Sequence, residues 1–250
     1  SGKTMLAYYK ATELAEQGQR VLLTCFNRNL AEDLRQRADG TPHLHITHFH
    51  QLAVEMMNEA GIECHDKRDT MFFHHTLPSL MLQAIHLLPE PRYDVIIVDE
   101  AQDFEDSWWE PLQCLLHDME QSTLYIFYDS NQNIFVEQSN FPIQTPPYLL
   151  TANCRNTQYI HQQVLAFYTG SPMPKLRGPQ GRPVEVIDIG NPQQLQRELL
   201  TKLTDLVFGD TSKIPSDEIV VLTPFAKGKS HLWGKAASSK VTLTNTPAVS

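Results

Sequence analysis

Four places along the chain carry residues able to handle a phosphate and a metal ion. They are Lys3-Thr4, Asp99-Glu100, Asp129 to Asn133, and Arg155. Ser1-Gly2-Lys3-Thr4 matches the end of the pattern G-x-x-x-x-G-K-[ST]. In that loop backbone N–H groups cradle phosphates, the lysine reaches the β- and γ-phosphates, and the hydroxyl ligates magnesium. Asp99 and Glu100 end an apolar run, Val95-Ile96-Ile97-Val98. Two adjacent carboxylates at a buried strand end are costly unless a cation joins them, and a magnesium–nucleotide complex is the common answer. The plain alternative is an acidic helix start, since Asp and Glu favour first helical turns.

The elements that must position these residues follow from periodicity. Val95 to Val98 is β-branched without interruption, which fits a strand buried on both faces of a parallel sheet. Arg20–Phe26 and Ser122–Tyr128 read the same way, and His43–Thr47 alternates. Helices are expected over Met5–Gln17, closed by Gly18, and from Asn27 to about Arg37. Others are expected from His48, over Leu77–Leu88, Ser107–His117, after Thr157 through Tyr168, and about Gln193–Phe208. Further strands are expected at Tyr148–Ala152, Val184–Ile189 and Glu218–Thr223, and Lys240–Thr246 alternates like one. The rhythm is that of an α/β protein with a parallel sheet flanked by helices. In such sheets ligands bind at the carboxyl ends of the strands, where the candidate residues emerge.

The totals suit this reading. The chain has 250 residues, 41% of them apolar and 20% charged, enough for a real core in one large or two smaller domains. A net charge of −9 argues against a wholesale polyanion-binding surface and leaves room for a local basic channel. Cys25, Cys64, Cys114 and Cys154 are widely spaced, as reduced thiols of a cytoplasmic protein would be. No apolar run is long enough to span a bilayer, so no membrane partner is expected. The chain reads as a fragment, starting inside a motif and ending on a strand-like segment.

In order and spacing the motifs resemble the superfamily 1 helicases of the UvrD/Rep type. Ser1-Gly2-Lys3-Thr4 is similar to motif I, Leu23 to Asn27 to motif Ia, and Thr47-His48-Phe49 to motif Ib. Val98-Asp99-Glu100-Ala101-Gln102-Asp103 is similar to motif II, Asp129 to Phe135 to motif III, and Leu150 to Asn156 to motif IV. The resemblance covers most of residues 1 to 165. It departs at Tyr128 and Cys154, where the family usually has Gly and Tyr, and motifs V and VI are not in the chain.

The resemblance implies a RecA-like P-loop NTPase fold, with a first motor domain over 1–147, a short helical insertion at about 54–92, and part of a second RecA-like domain over 148–250. It implies ATP and Mg2+ as cofactors and single-stranded or partly duplex DNA as partner, with 3′→5′ movement. Ser1, Gly2, Lys3 and Thr4 would hold the phosphates, with Thr4 and Asp99 on the magnesium. Glu100 would activate water, Gln132 would sense the γ-phosphate, and Arg155 would act as an arginine finger. Gln102 would link motif II to its neighbours. Phe26, Asn27, Thr47 and His48 would lie along the DNA path. The implied activity is ATP-driven translocation or unwinding, with little or none in the fragment alone. Two alternatives stay open: a nucleotide-regulated P-loop binding module without motor activity, and an RNA-directed NTPase.

Phe26 fits core packing and base stacking equally. Trp108-Trp109 reads as interior packing. His48, His50, Cys64, His65, His74 and His75 match no compact zinc pattern, so polar helix faces explain them better.

Overall fold

The computed structural model describes residues 2–63, 71–88, 92–118, 121–129, 141–143, 145–168, 172–209, 213–223, 229–230 and 232. By internal packing the chain forms two compact units, 1–184 with 249–250, and 185–248. The expected boundary at 147/148 lies inside the first.

Unit 1 is built on helix α1 (Lys3–Glu16), strand β1 (Val21–Cys25), α2 (Arg28–Arg37), β2 (Leu44–His48), α3 (Phe49–Glu59), a π-helical turn (Phe72–Thr76), α4 (Leu77–Leu87) and β3 (Val95–Asp99). Two 3-10 turns (Ala101–Asp103 and Asp106–Trp108), α5 (Trp109–Cys114) and β4 (Thr123–Ile126) follow. The four strands form one sheet in the order β2-β1-β3-β4, every pair parallel. Cys25 is in register with both His48 and Asp99, so three strands end in line at the carboxyl edge.

The continuous apolar runs are explained by helices on both faces. Val21, Leu23, Val95 and Ile97 pack with Ala7, Ala11, Leu14, Leu30 and Leu34 of α1 and α2. Leu22, Ile96 and Val98 pack on the other face with Phe49, Leu52, Met56, Met81 and Leu112 of α3, α4 and α5. An α/β fold with a parallel sheet flanked by helices is therefore present, as expected. Trp108 and Trp109 are buried in the second of these layers.

The later part of the chain departs from expectation. Of the strand expected at Tyr148–Ala152, only β5 (Ala152–Asn153) forms, paired in parallel with β6 (Lys175–Leu176). Tyr148 is 90% exposed, with no neighbouring strand among the described residues to complete a ladder. Helix α6 (Gln158–Leu165) follows, started by Thr157, whose hydroxyl accepts from the Ile160 N–H. The α5 helix is shorter than the expected 107–117, its first turn being the 3-10 turn ending at Trp108.

Unit 2 contains the expected helix as α7 (Pro192–Phe208), capped by the Asn191 side chain, and a 3-10 turn (Ser216–Glu218). Residues 184–189 and 219–223 form no strand, and Val186, Val220 and Leu222 are exposed. Apolar residues make a strand only where a partner strand supplies hydrogen bonds, and none of the described residues does so here. The segment 240–246 lies outside the described residues.

Cys25, Cys114 and Cys154 are free thiols. Among the described residues no helix is long and apolar enough to cross a membrane.

Candidate active site

The carboxyl edge of the sheet gathers most of the candidates. Gly2 caps α1 with φ 83°, a left-handed conformation that favours glycine, and its carbonyl accepts from the Leu6 N–H at 3.0 Å. This sets Lys3 and Thr4 at the first turn. The Lys3 Nζ donates to Asp129 Oδ2 at 2.8 Å, joining positions 126 residues apart. Ser1 and Gln132 lie outside the described residues.

Asp99, the last residue of β3, is fully buried, and neither carboxylate oxygen has a hydrogen-bond partner of good geometry. Burial pushes this carboxyl up from 3.8 to about 6. The nearby Thr4 hydroxyl and Lys3 ammonium pull it down, and the adjacent Glu100 charge pushes it further up. A carboxylate this deeply buried, whose nearby Thr4 hydroxyl and Glu100 N–H do not meet it in good hydrogen-bond geometry, is rare in a native fold, and a bound cation is one standard explanation. Thr4 and Asp99 offer the hard oxygen donors that magnesium takes alongside phosphate oxygens. Among the described residues no group of three or more His, Cys, Asp or Glu is arranged to hold a metal. A magnesium ion here would therefore depend on ligand oxygens as well as on these two side chains.

Glu100 has φ 51° and ψ 44°, left-handed for a residue that has a Cβ. Such strain costs on the order of 1 kcal/mol and is concentrated at functional sites. The surrounding bonds enforce it. The Ala101 N–H donates to Phe127 O at 2.9 Å, and the Asp103 N–H to Glu100 O at 3.0 Å. The buried Gln102 amide closes the site, with Nε2 donating to Glu100 Oε2 at 2.7 Å and Oε1 accepting from the Asp129 N–H at 2.9 Å. Lys3, Asp129, Gln102 and Glu100 thus form one hydrogen-bonded chain beside Asp99. Cys25, in register with Asp99, is no nucleophile: burial and the Asp99 charge push its thiol up to about 12.

Arg155 stands apart. It is exposed after β5, its backbone N–H donating to Asn153 Oδ1 at 3.2 Å. No contact among the described residues joins it to Lys3, Asp99 or Glu100.

The proposed nucleic-acid residues flank the same edge. Phe26 is 43% exposed and stacks on Trp108 at 5.9 Å and 24°, so one face is packed while part of the ring remains open. Asn27 caps α2, its Oδ1 accepting from the N–H groups of Asn29 and Leu30 at 2.9 and 3.2 Å. Thr47 is buried, with its hydroxyl reaching no partner among the described residues. His48 borders two clefts, of about 240 and 560 Å³. Burial, helped by Arg28, lowers its imidazole, which favours the neutral form. Arg28, Arg35 and Gln51 line the smaller cleft beside it, and Arg35 is ion-paired to Glu32.

Sequence reasoning did not single out Arg28, Arg35, Gln51 or the role of Asp129. A cation on the first turn of α2, directly after the Phe26-Asn27 pair, was the available signal for Arg28. No local pattern announces the Lys3–Asp129 pair. No family model matches the chain, and no curated protein gives a significant match to it.

Proposed function

We propose that this chain carries the nucleotide-hydrolysing centre of an ATP-dependent translocase or helicase on single-stranded DNA. The observation that supports it best is the convergence of Lys3, Thr4, Asp99, Glu100 and Gln102 at one end of a parallel sheet, with Asp99 buried and unpartnered. On this reading the finer fold is RecA-like.

Each residue has a task that its surroundings suit. Lys3 binds phosphate oxygens as a point charge at the start of a helix whose N–H groups favour anions. Thr4 and Asp99 hold magnesium, which when bound neutralises charge on the phosphate oxygens. Glu100 keeps one carboxylate oxygen on Gln102 and has the other for the attacking water, from which it takes a proton. Phosphoryl transfer needs such positioning and charge neutralisation more than covalent chemistry. Arg155, exposed and with no ion-pair partner among the described residues, has a guanidinium available for phosphate in a rearranged state. Phe26 offers a ring for base stacking, and the Arg28–His48–Gln51 cleft offers donors for a nucleic-acid backbone.

Steady-state ATP hydrolysis by the intact polypeptide, with and without single-stranded DNA or RNA, tests this. Stimulation by DNA is expected. Preference for RNA would redirect the reading to an RNA-directed NTPase. Nucleotide binding with no effector-stimulated turnover would leave a binding module in its place.

A further inference from the structure

Asp129 is held against Lys3 from both sides. The side chains are 17% exposed for Lys3 and 25% for Asp129, so this is no freely solvated surface pair. Lys3 is fixed as the first residue of α1. Asp129 follows backbone bonded into the sheet edge, where the Phe127 N–H donates to Val98 O at 2.8 Å and Phe127 O accepts from Ala101. Its own N–H is taken by the buried Gln102. A carboxylate offers an ammonium two oxygens sharing a negative charge, the same chemistry a phosphate offers.

We infer that Asp129 is an internal stand-in for the terminal phosphates of a nucleoside triphosphate, occupying Lys3 until the polyphosphate displaces it. This rests on the nucleotide reading of the site. The lysine that should bind phosphate then enters every binding event already paired, and breaking that pair weakens apparent affinity. The exchange takes place beside the water-activating residue, because the Asp129 backbone N–H and the Glu100 carboxylate hold the two ends of one Gln102 amide.

The test is a titration of the intact polypeptide with a fluorescent ATP analogue and magnesium. Asp129→Asn and Asp129→Ala are expected to bind about fivefold more tightly than wild type, the scale of a partly exposed ion pair. Glu13→Gln, the same charge change at an exposed position on α1, is expected to leave affinity unchanged. Adding Asp129→Ala to Lys3→Ala should bring no further gain. Should both Asp129 variants bind equally or more weakly while Lys3→Ala loses affinity, the inference falls and the nucleotide reading stands. Binding that is absent, or indifferent to Lys3, overturns the nucleotide reading and the inference with it.

Discussion

Replacing Asp99 by asparagine should stabilise the fold at neutral pH while removing a proposed magnesium ligand. Burial of Asp99 lifts its carboxyl from 3.8 to about 6. That displacement corresponds to roughly 3 kcal/mol of ionisation cost in the native state. Because the native state holds the proton more tightly than the unfolded chain, the cost is absent below about pH 4 and complete above about pH 6. Asparagine carries no charge, but its amide inherits an unpartnered position costing about 1–3 kcal/mol. The variant is thus expected to be about 1 kcal/mol more stable than wild type at about pH 8, and less stable at about pH 4.

His50 titrates in the same interval with the opposite sign. Its burial lowers the imidazole to about 4, so the native state gives up a proton that the unfolded chain keeps, and stability rises with pH. The wild-type curve therefore mixes Asp99 with His50 and with the other shifted groups, Asp103, His48, Glu55 and Asp94, whereas the difference between variant and wild type isolates Asp99. Urea denaturation of both proteins in chelator, at about pH 4 and about pH 8, should show that difference moving by roughly 3 kcal/mol in the variant's favour. A difference that is constant with pH, or moves toward wild type, would refute a buried, unpartnered Asp99.

Three further substitutions separate the roles at this edge. Glu100→Gln should lower ATP turnover by at least about a hundredfold and leave nucleotide binding intact, measured by steady-state hydrolysis and equilibrium titration. Persistent turnover would assign the base elsewhere. Asn27→Ala removes the α2 cap and should cost about 1 kcal/mol in urea denaturation, with Asn27→Asp or Asn27→Ser restoring most of it. Phe26→Ala should weaken single-stranded DNA binding by about 1–3 kcal/mol by fluorescence anisotropy, the scale of one stacked base. Unchanged binding would leave Phe26 as a lid on Trp108.

What the sequence discloses depends on how locally each feature is determined. β1 and β3 were readable because burial on both faces demands unbroken apolar runs, and the apolar run of β3 stops where Asp99 reaches the sheet edge. Helices α1, α2 and α7 were readable from periodicity and caps. Tyr148–Ala152 and Glu218–Thr223 failed because a short apolar run does not by itself supply a partner strand. Thr47 looked like a contact residue from its motif, yet as the fourth residue of β2 it turns its hydroxyl inward. The Gln102 bridge to Asp129 and the Lys3–Asp129 pair reach across 27 and 126 residues, and the left-handed Glu100 leans on the bond from Ala101 to Phe127, none of which a local pattern encodes.

The central claim is that the acidic strand end and Lys3 form one phosphate-and-metal site. Calorimetric titration of the intact polypeptide with ATP, with and without magnesium, tests it in wild type, Lys3→Ala and Asp99→Asn. Binding is expected to depend on magnesium, to weaken at least about tenfold in Lys3→Ala, and to lose its dependence on magnesium in Asp99→Asn. Binding of equal strength in all three proteins would contradict it.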